Sequence, residues 1–213
     1  MSREMGTMFR SGVPLIVSGP SGSGKTTLCR LLQAEDPSIA FSISHTTRAL
    51  RGKEQEGIDY YFVNDTTFDS MIAENAFLEW APVHNKRYGT SYAQVLSRLD
   101  AGTDVLFDID IQGGRQIAQK LPHAVLVFVL PPSMQILEWR LRQRQSDSDD
   151  EIARRLQVAQ EEIQASEIYN YFIVNQDLNQ ALGLLRSVLW AERLRQVDKR
   201  RLIDSMLSGD TLP

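Results

Sequence analysis

The chain has 213 residues, of which 42% are hydrophobic and 23% are charged, with 13 glycines and 8 prolines. These values lie near the average for globular domains and exclude the collagenous, disordered and disulfide-rich classes. The net charge of -4 gives no general attraction to phosphate backbones, so we expect no nucleic-acid partner, whereas a small anionic ligand stays compatible with a local basic pocket.

The apolar runs and the cysteine content indicate the compartment. The longest apolar run, residues 124–130, is far shorter than the roughly 20 residues that a membrane span needs, and the first residues carry no signal-peptide pattern. The single cysteine, Cys29, has no partner for an internal disulfide, and the three histidines lie too far apart for a structural zinc site. We therefore expect a cytoplasmic protein with no membrane partner, and a homo-oligomer stays open.

Strands and helices alternate along most of the chain. Apolar runs predict strands at residues 13–18, 40–44, 105–109, 124–130 and 172–174. Several of these runs are continuously apolar, which is typical of parallel strands covered on both faces. Helical patterns follow over residues 26–34, 133–144 and 152–163. The alternation predicts an α/β fold, with a parallel sheet flanked by helices.

A glycine-rich segment between the first strand and the first helix matches G-x-x-x-x-G-K-[ST]. It consists of Gly19, Pro20, Ser21, Gly22, Ser23, Gly24, Lys25 and Thr26, with Thr27 following. Glycines let backbone N–H groups turn inward around phosphate oxygens, at a helix N-terminus with partial positive charge. We expect Lys25 to reach the β- and γ-phosphates of a nucleotide and Thr26 to offer its hydroxyl to Mg²⁺. The alternative is a glycine-rich turn that only caps a helix.

Residues 42–94 depart from the alternation of strands and helices, since they are rich in aromatic residues, short extended pieces and glycine turns. We interpret them as a small inserted lobe. In this lobe Arg48 and Arg51 lie three residues apart, and Tyr60 follows. Two planar guanidinium groups and a phenol suit a dianionic phosphate, because arginine donors match its oxygens. The alternative is a pair of surface arginines bound to Glu54 or Glu56.

Two carboxylates follow the strand at residues 105–109. Asp108 and Asp110 flank Ile109, and ligands gather at the carboxyl ends of parallel strands. An acidic residue at this place is typical of the metal side of a phosphate-binding loop. Alternation sends both side chains to one face. The alternative is that one of them only caps the helix that starts near Ile111.

The region after the fourth strand is rich in arginine. Residues 140–155 form a polar, charge-rich stretch that we interpret as a second insertion; its arginines are Arg140, Arg142, Arg144, Arg154 and Arg155. Taken alone they indicate a solvated helical face balanced by nearby acids. In a phosphoryl-transfer enzyme, arginines on a moving segment stabilise the transferred charge and exclude water.

Helix starts and the C-terminal helix complete the predicted elements. Ser91 with Gln94 and Ser148 with Glu151 fit capping boxes. Leucines at 178, 182, 185 and 189 predict a helix that continues to about residue 207. We expect this helix to pack on its own core, with an oligomer contact by its end as the alternative.

Taken together, these motifs resemble the guanylate kinase family. The resemblance runs over about residues 13–189 and rests on residues 19–27, 44–48, 51, 57–60, 79–80, 88–90, 108–113 and 173–175. It implies a P-loop core over about 13–41, 95–138 and 169–207, a GMP-binding lobe over about 42–94 and a mobile lid over about 139–168. It also implies Mg²⁺-dependent transfer from ATP to GMP, and to dGMP, in purine nucleotide metabolism.

The resemblance also implies roles for individual residues. Position matches put Arg48, Arg51, Tyr60 and Tyr88 at the GMP phosphate, and Ser44, Glu79, Thr90 and Asp110 at the guanine. They put Lys25, Thr26 and Asp108 at the ATP phosphates and metal, Arg140, Arg144 and Arg155 on the lid side of the transferred group, and Asn175 near adenine. The chemistry agrees for Glu79, because a carboxylate accepts from guanine N1–H and N2–H, a donor pair that adenine lacks. No general base is needed, since the attacking GMP oxygen is already anionic.

The chain departs from the family pattern beside the two clamp arginines. Leu50 stands where the family usually has proline, and Lys53 stands where it has glycine, with Gly52 one residue early. We expect a looser loop there, with Arg51 and Glu54 still in register. Two other functions stay open: a kinase-like fold that serves as a protein-interaction module, which would be expected to carry a damaged P-loop, and phosphoryl transfer to a phosphorylated sugar.

Overall fold

A computed structural model describes residues 10–83, 85–143 and 148–209. Its strands are β1 (Pro14–Ser18), β2 (Ile39–Phe41), β3 (His45–Thr46), β4 (Tyr61–Phe62), β5 (Phe77–Val83), β6 (Lys86–Ser91), β7 (Asp104–Asp108), β8 (Val125–Leu130) and β9 (Tyr171–Val174). Its α-helices are α1 (Lys25–Glu35), α2 (Asp65–Ala73), α3 (Tyr92–Asp100), α4 (Ile111–Lys120), α5 (Met134–Arg142), α6 (Asp149–Gln164), α7 (Leu178–Arg195) and α8 (Lys199–Leu207).

The main sheet has five parallel strands in the order β2-β7-β1-β8-β9. The three central strands are almost wholly buried, and two apolar clusters cover the two faces of the sheet. Continuous apolar runs therefore predicted the parallel sheet correctly, because strands between two helical layers have no solvent-facing side. The predicted α/β fold with flanking helices is confirmed.

The inserted segment after β2 forms a second sheet in the order β4-β3-β6-β5, packed with α2. Phe68 of α2 and Phe77 of β5 are fully buried, with their ring centroids 4.6 Å apart. The strand predicted at residues 40–44 is wrong in extent, since β2 ends at Phe41 and the chain then crosses to the second sheet. Ser42 still donates its N–H to the carbonyl of Leu106, so the crossing begins directly after it.

Helices α5 and α6 pack on each other through a small apolar cluster that includes Leu137, Leu141, Ile152 and Ala159. The capping predictions are confirmed, because Ser91 Oγ accepts from Gln94 N and Ser148 Oγ accepts from Glu151 N. Within the described part of the chain, no helix is long and apolar enough to span a bilayer.

The C-terminal helix predicted to continue to residue 207 is two helices. Leu182, Leu185 and Leu189 pack α7 on its own core, as expected. The helix then breaks because Val197 forms a β-bridge with Arg10 and Asp198 caps the next helix, accepting from Arg201 N.

Candidate functional site

The glycine-rich segment forms the turn between β1 and α1. Gly19, Gly22 and Gly24 have φ values of 148°, 96° and 93°, which L side chains rarely adopt. Gly24 is the N-cap of α1 and carries no side-chain cap, so the first N–H groups of the helix stay available to a ligand. An anion is the ligand that such a helix start favours, through its N–H groups and its dipole.

The back of this turn is held by two side chains from elsewhere in the core. Asn175, which follows β9, donates from Nδ2 to the Ser23 carbonyl at 2.8 Å. Arg140 of α5 donates to the Asn175 carbonyl at 2.8 Å and to the Ser23 carbonyl at 3.4 Å. Asn175 is buried, so its amide lies behind the turn rather than on an open surface.

Lys25, Thr26 and Asp108 meet at the front of the turn. Asp108 ends β7, which pairs with β1 so that Val17 is opposite Asp108. Thr26 Oγ1 donates to Asp108 Oδ2 at 2.6 Å, and Lys25 Nζ lies 3.7 Å from Asp108 Oδ1. Asp108 Oδ1 is buried and accepts no hydrogen bond from the described residues. A hydroxyl beside a carboxylate with one such oxygen is a donor set that suits Mg²⁺.

Arg48 is the centre of a polar and aromatic cluster in the lobe. Its guanidinium binds both carboxylate oxygens of Glu54, at 2.7 Å and 2.9 Å, and donates from Nε to Tyr88 Oη at 3.3 Å. It also lies 5.2 Å from the ring centroid of Tyr60, and the Tyr60 and Tyr88 rings are in edge contact. The structure therefore brings together Arg48, Tyr60 and Tyr88, and it also realises the alternative pairing of Arg48 with Glu54. Hydrogen bonding to Glu54 raises the pKa of Arg48.

Arg51 shares this loop through its backbone. Its N–H donates to Glu54 Oε2 at 2.8 Å, and the Glu54 N–H donates back to the Arg51 carbonyl at 3.0 Å. Gly52, with a φ of 55°, takes the first central position of this turn, which explains why glycine comes one residue early and lysine follows. Leu50, in place of proline, is half-exposed.

Glu79 and Thr90 form a buried pair between β5 and β6, where they are directly opposite each other. Thr90 Oγ1 donates to Glu79 Oε1 at 2.6 Å and accepts from Ser42 Oγ at 3.4 Å. Burial raises the pKa of Glu79, the hydrogen bond from Thr90 lowers it, and the nearby Asp110 raises it again. Ser44 lies in the adjoining segment, where its carbonyl accepts from the N–H of Tyr61.

Asp110 caps helix α4, because its Oδ1 accepts from Gly113 N at 2.9 Å. The alternative, that one of the two carboxylates caps this helix, is therefore realised by Asp110. The same helix start lies beside Glu79, since a Cβ at Gly113 would be 3.6 Å from Glu79 Oε2. Asp108 and Asp110 therefore separate, one toward Lys25 and Thr26, the other toward Glu79.

The arginines after β8 divide into two groups. Arg142 pairs with Glu138 and Asp149, and Arg154 pairs with Glu151, on the exposed faces of α5 and α6. Arg140 contacts the turn at Ser23, as above, and Arg155 contacts both the turn, with Nη1 3.4 Å from Ser21 Oγ, and Glu151, with Nε 3.2 Å from Oε1. Arg144 lies outside the described residues.

Glu162 is a site neighbour that the sequence did not single out. It lies two helical turns after Arg155 on α6, hence on the same face. Burial raises the pKa of Glu162, the Lys25 ammonium lowers it, and Asp110 raises it. The sequence signal that could have pointed to Glu162 is its spacing of seven residues from Arg155, which places both on one face of a helix.

Comparisons with known proteins agree with one another. The guanylate kinase family model matches residues 11–192. Guanylate kinase of Myxococcus xanthus is 49% identical over 191 residues, covering 89% of this chain and 91% of the relative. Guanylate kinase of Carboxydothermus hydrogenoformans is 45% identical over 198 residues, covering 92% and 97%. The crystal structure of guanylate kinase from Anaplasma phagocytophilum superimposes with a TM-score of 0.71 at 34% identity, covering 92% and 96%.

Proposed function

Because the chain belongs to the guanylate kinase family and catalyses ATP-dependent phosphorylation of GMP to GDP, we propose how its residues divide that reaction. In this proposal the P-loop core binds ATP, the lobe binds GMP, and the lid-side arginines contact the phosphoryl group that is transferred. The observation that carries the proposal is that one fold combines a glycine-rich turn that has Asp108 at its front with a lobe that holds Arg48 and the buried carboxylate of Glu79.

Residues 19–27 bind the β- and γ-phosphates of ATP. The N–H groups at the start of α1 donate to phosphate oxygens, and the Lys25 ammonium neutralises their charge. Asn175, at the back of the turn, belongs to this ATP site.

Thr26 and Asp108 hold Mg²⁺ in this proposal. The assignment is supported by Asp108 Oδ1, which accepts no hydrogen bond from the described residues, while Oδ2 of the same carboxylate binds the Thr26 hydroxyl. When bound, Mg²⁺ neutralises the charge that develops on the phosphate oxygens.

Arg48, Arg51, Tyr60 and Tyr88 bind the phosphate of GMP. A guanidinium presents planar N–H donors that match two oxygens of a phosphate, and Arg48 shows this geometry by binding both oxygens of the Glu54 carboxylate at 2.7 Å and 2.9 Å. The phenols add donors, and the clamp thereby fixes the direction of the attacking oxygen.

Ser44, Glu79, Thr90 and Asp110 recognise guanine. Thr90 occupies Glu79 Oε1, so Glu79 Oε2, on the Gly113 side, is the oxygen that accepts from guanine N1–H and N2–H. Burial strengthens this selection, because a base without that donor pair leaves a buried carboxylate unsatisfied. None of these roles uses a ribose 2′-hydroxyl, so we also assign dGMP as a substrate.

Arg140, Arg144 and Arg155 stabilise the negative charge of the transferred phosphoryl group. The contacts of Arg140 and Arg155 with the turn at Ser23 and Ser21 support this assignment. The attacking oxygen is already an anion, so alignment and charge stabilisation carry the catalysis and no side chain needs to remove a proton.

These roles fit a division into a core over about 13–41, 95–138 and 169–207, a GMP-binding lobe over about 42–94 and a lid over about 139–168. Closure of lobe and lid on the core excludes water from the phosphates. We also propose a reducing cytoplasmic setting, since the sequence has one cysteine, Cys29, and its thiol is free.

An ADP-release assay with ATP and Mg²⁺ tests this function, with GMP, dGMP, AMP, CMP, UMP and dTMP offered separately. We expect turnover confined to GMP and dGMP. Turnover of AMP at a rate comparable with that of GMP would contradict recognition of guanine by Glu79. Turnover of GMP without turnover of dGMP would contradict the assignment of dGMP as a substrate.

A further inference from the structure

Asn175 is tied on three sides at the end of β9. Its N–H donates to the Leu130 carbonyl at 2.8 Å, which continues the pairing of β9 with β8. Its carbonyl accepts from Arg140 at 2.8 Å, and its side-chain amide donates to the Ser23 carbonyl at 2.8 Å. Only 5% of the residue is exposed. The edge strand, the lid-side helix and the P-loop thus meet at one residue.

The geometry of the peptide bond gives this contact a consequence. In a trans peptide the carbonyl of one residue and the N–H of the next point in opposite directions. The Asn175 amide holds the Ser23 carbonyl from behind, so the N–H of Gly24 points away from Asn175. Gly24 permits the close approach, because a Cβ there would lie 2.3 Å from Asn175 Nδ2.

We propose that Asn175 is a positioning residue that fixes the Ser23–Gly24 peptide so that the Gly24 N–H is directed at an ATP phosphate oxygen. The inference rests on the proposed binding of ATP phosphates by residues 19–27. It differs from the role near adenine that the family resemblance implies, because one N–H of the amide already binds backbone and the side chain is buried behind the turn. Asn175 acts on the phosphates through the loop and does not read the base.

The two roles predict different dependence on the nucleotide base. A positioning residue affects every ligand that carries the phosphates, whatever its base. A residue that reads adenine affects ATP but not inosine triphosphate to the same degree, and it leaves inorganic tripolyphosphate untouched. Tripolyphosphate, measured as a competitive inhibitor against ATP, therefore isolates the phosphate part of the site.

The experiment compares Asn175→Ala with Asn170→Ala. Asn170 is a matched control, because it precedes β9, and its side-chain oxygen accepts from Leu126 N of β8 at 2.9 Å. Its side chain also bonds to backbone at the opposite end of the same strand, there as an acceptor on an exposed residue. Asn175→Asp keeps the shape and removes the donor, so it serves if Asn175→Ala does not fold. Melting temperature and the KM for GMP report on the integrity of each variant.

For Asn175→Ala we expect the KM for ATP, the KM for inosine triphosphate and the inhibition constant of tripolyphosphate to rise together. The expected factor is about tenfold, the order that follows when the Ser23 carbonyl loses its short hydrogen bond from Asn175 and keeps only the 3.4 Å bond from Arg140. The KM for GMP stays unchanged, and Asn170→Ala leaves all phosphate ligands unaffected. An effect on ATP alone, or an equal effect in Asn170→Ala, would overturn the positioning role. Near-normal turnover of Lys25→Ala in the same series would instead refute the proposed ATP site itself.

Discussion

Glu79→Gln is the substitution that separates recognition from stability most cleanly. It keeps the size of the side chain and removes the charge. Thr90 Oγ1 donates to Oε1 of Glu79 at 2.6 Å, and this donation favours an oxygen at the same position in the glutamine. We therefore expect the glutamine to put its NH₂ group where Oε2 now lies, facing the donors of guanine.

The magnitude follows from the hydrogen bonds lost. A hydrogen bond to a charged group contributes about 1.5–3 kcal/mol, and an opposed donor pair removes that contribution. We therefore expect kcat/KM for GMP to fall by about 10- to 150-fold, since 1.4 kcal/mol is a factor of ten. AMP, whose N1 is an acceptor, gains a donor partner, so the preference for GMP over AMP narrows further.

Although kcat/KM for GMP falls in Glu79→Gln, the stability of the folded protein at neutral pH should rise. Burial raises the pKa of Glu79 in the folded protein, so the folded state binds this proton more tightly than the unfolded state. The free energy of unfolding of the wild type therefore decreases as pH rises from the unfolded pKa, near 4.5, through the raised folded pKa. Glu79→Gln removes this decrease, and its melting temperature at neutral pH rises relative to the wild type.

The assay pairs steady-state kinetics on GMP and AMP with thermal melts between pH 4 and pH 8. Glu74→Gln, an exposed change of the same kind in the same lobe, is the control. An unchanged ratio of GMP to AMP turnover would remove Glu79 from the guanine site. A melting temperature that falls in Glu79→Gln would refute the argument from burial.

Three further changes test separate parts of the molecule. Lys25→Ala should lower kcat by about 10²- to 10³-fold while equilibrium GMP binding stays unchanged, because the ammonium acts on ATP phosphates; weakened GMP binding would argue against this. Glu54→Gln should raise the KM for GMP about fivefold, because Arg48 loses the carboxylate that holds its guanidinium in place beside Tyr88, whereas Glu56→Gln should leave this KM unchanged; equal effects would show that only the charge of the loop matters. Asp104→Asn removes the negative charge between the buried guanidinium groups of Arg10 and Arg193, so the free energy of unfolding in urea should fall by about 3–5 kcal/mol. The KM values should not change, because Asp104 lies at the end of β7 opposite Asp108; a changed KM would contradict that separation.

Sequence reasoning predicted the elements whose pattern is set by local physics. The glycine-rich turn was predictable because glycines with positive φ and a helix start without a side-chain cap need a fixed spacing. The buried parallel strands were predictable because continuous apolar runs have few other uses in a chain of this length. Ser91 and Ser148 were predictable as caps because their hydroxyls bond within three residues.

The elements that sequence reasoning missed depend on contacts distant along the chain. The break before α8 comes from the bridge between Arg10 and Val197, which no local pattern encodes. The amide of Asn175 contacts Ser23, 152 residues earlier, so its bond to the backbone of the turn was not visible in the motif. Glu54 was foreseen only as an alternative partner, because spacing alone does not reveal that one carboxylate holds both the Arg48 fork and the Arg51 backbone.

A crystal structure with GMP, Mg²⁺ and a non-hydrolysable ATP analogue tests the division of roles most directly. The account predicts the GMP phosphate within hydrogen-bond distance of Arg48, Arg51, Tyr60 and Tyr88, and guanine N1 and N2 on Glu79. It also predicts the Gly24 N–H on an ATP phosphate oxygen, with the Asn175 amide still on the Ser23 carbonyl. A GMP phosphate bound away from Arg48, or an Asn175 amide turned to adenine, would contradict it.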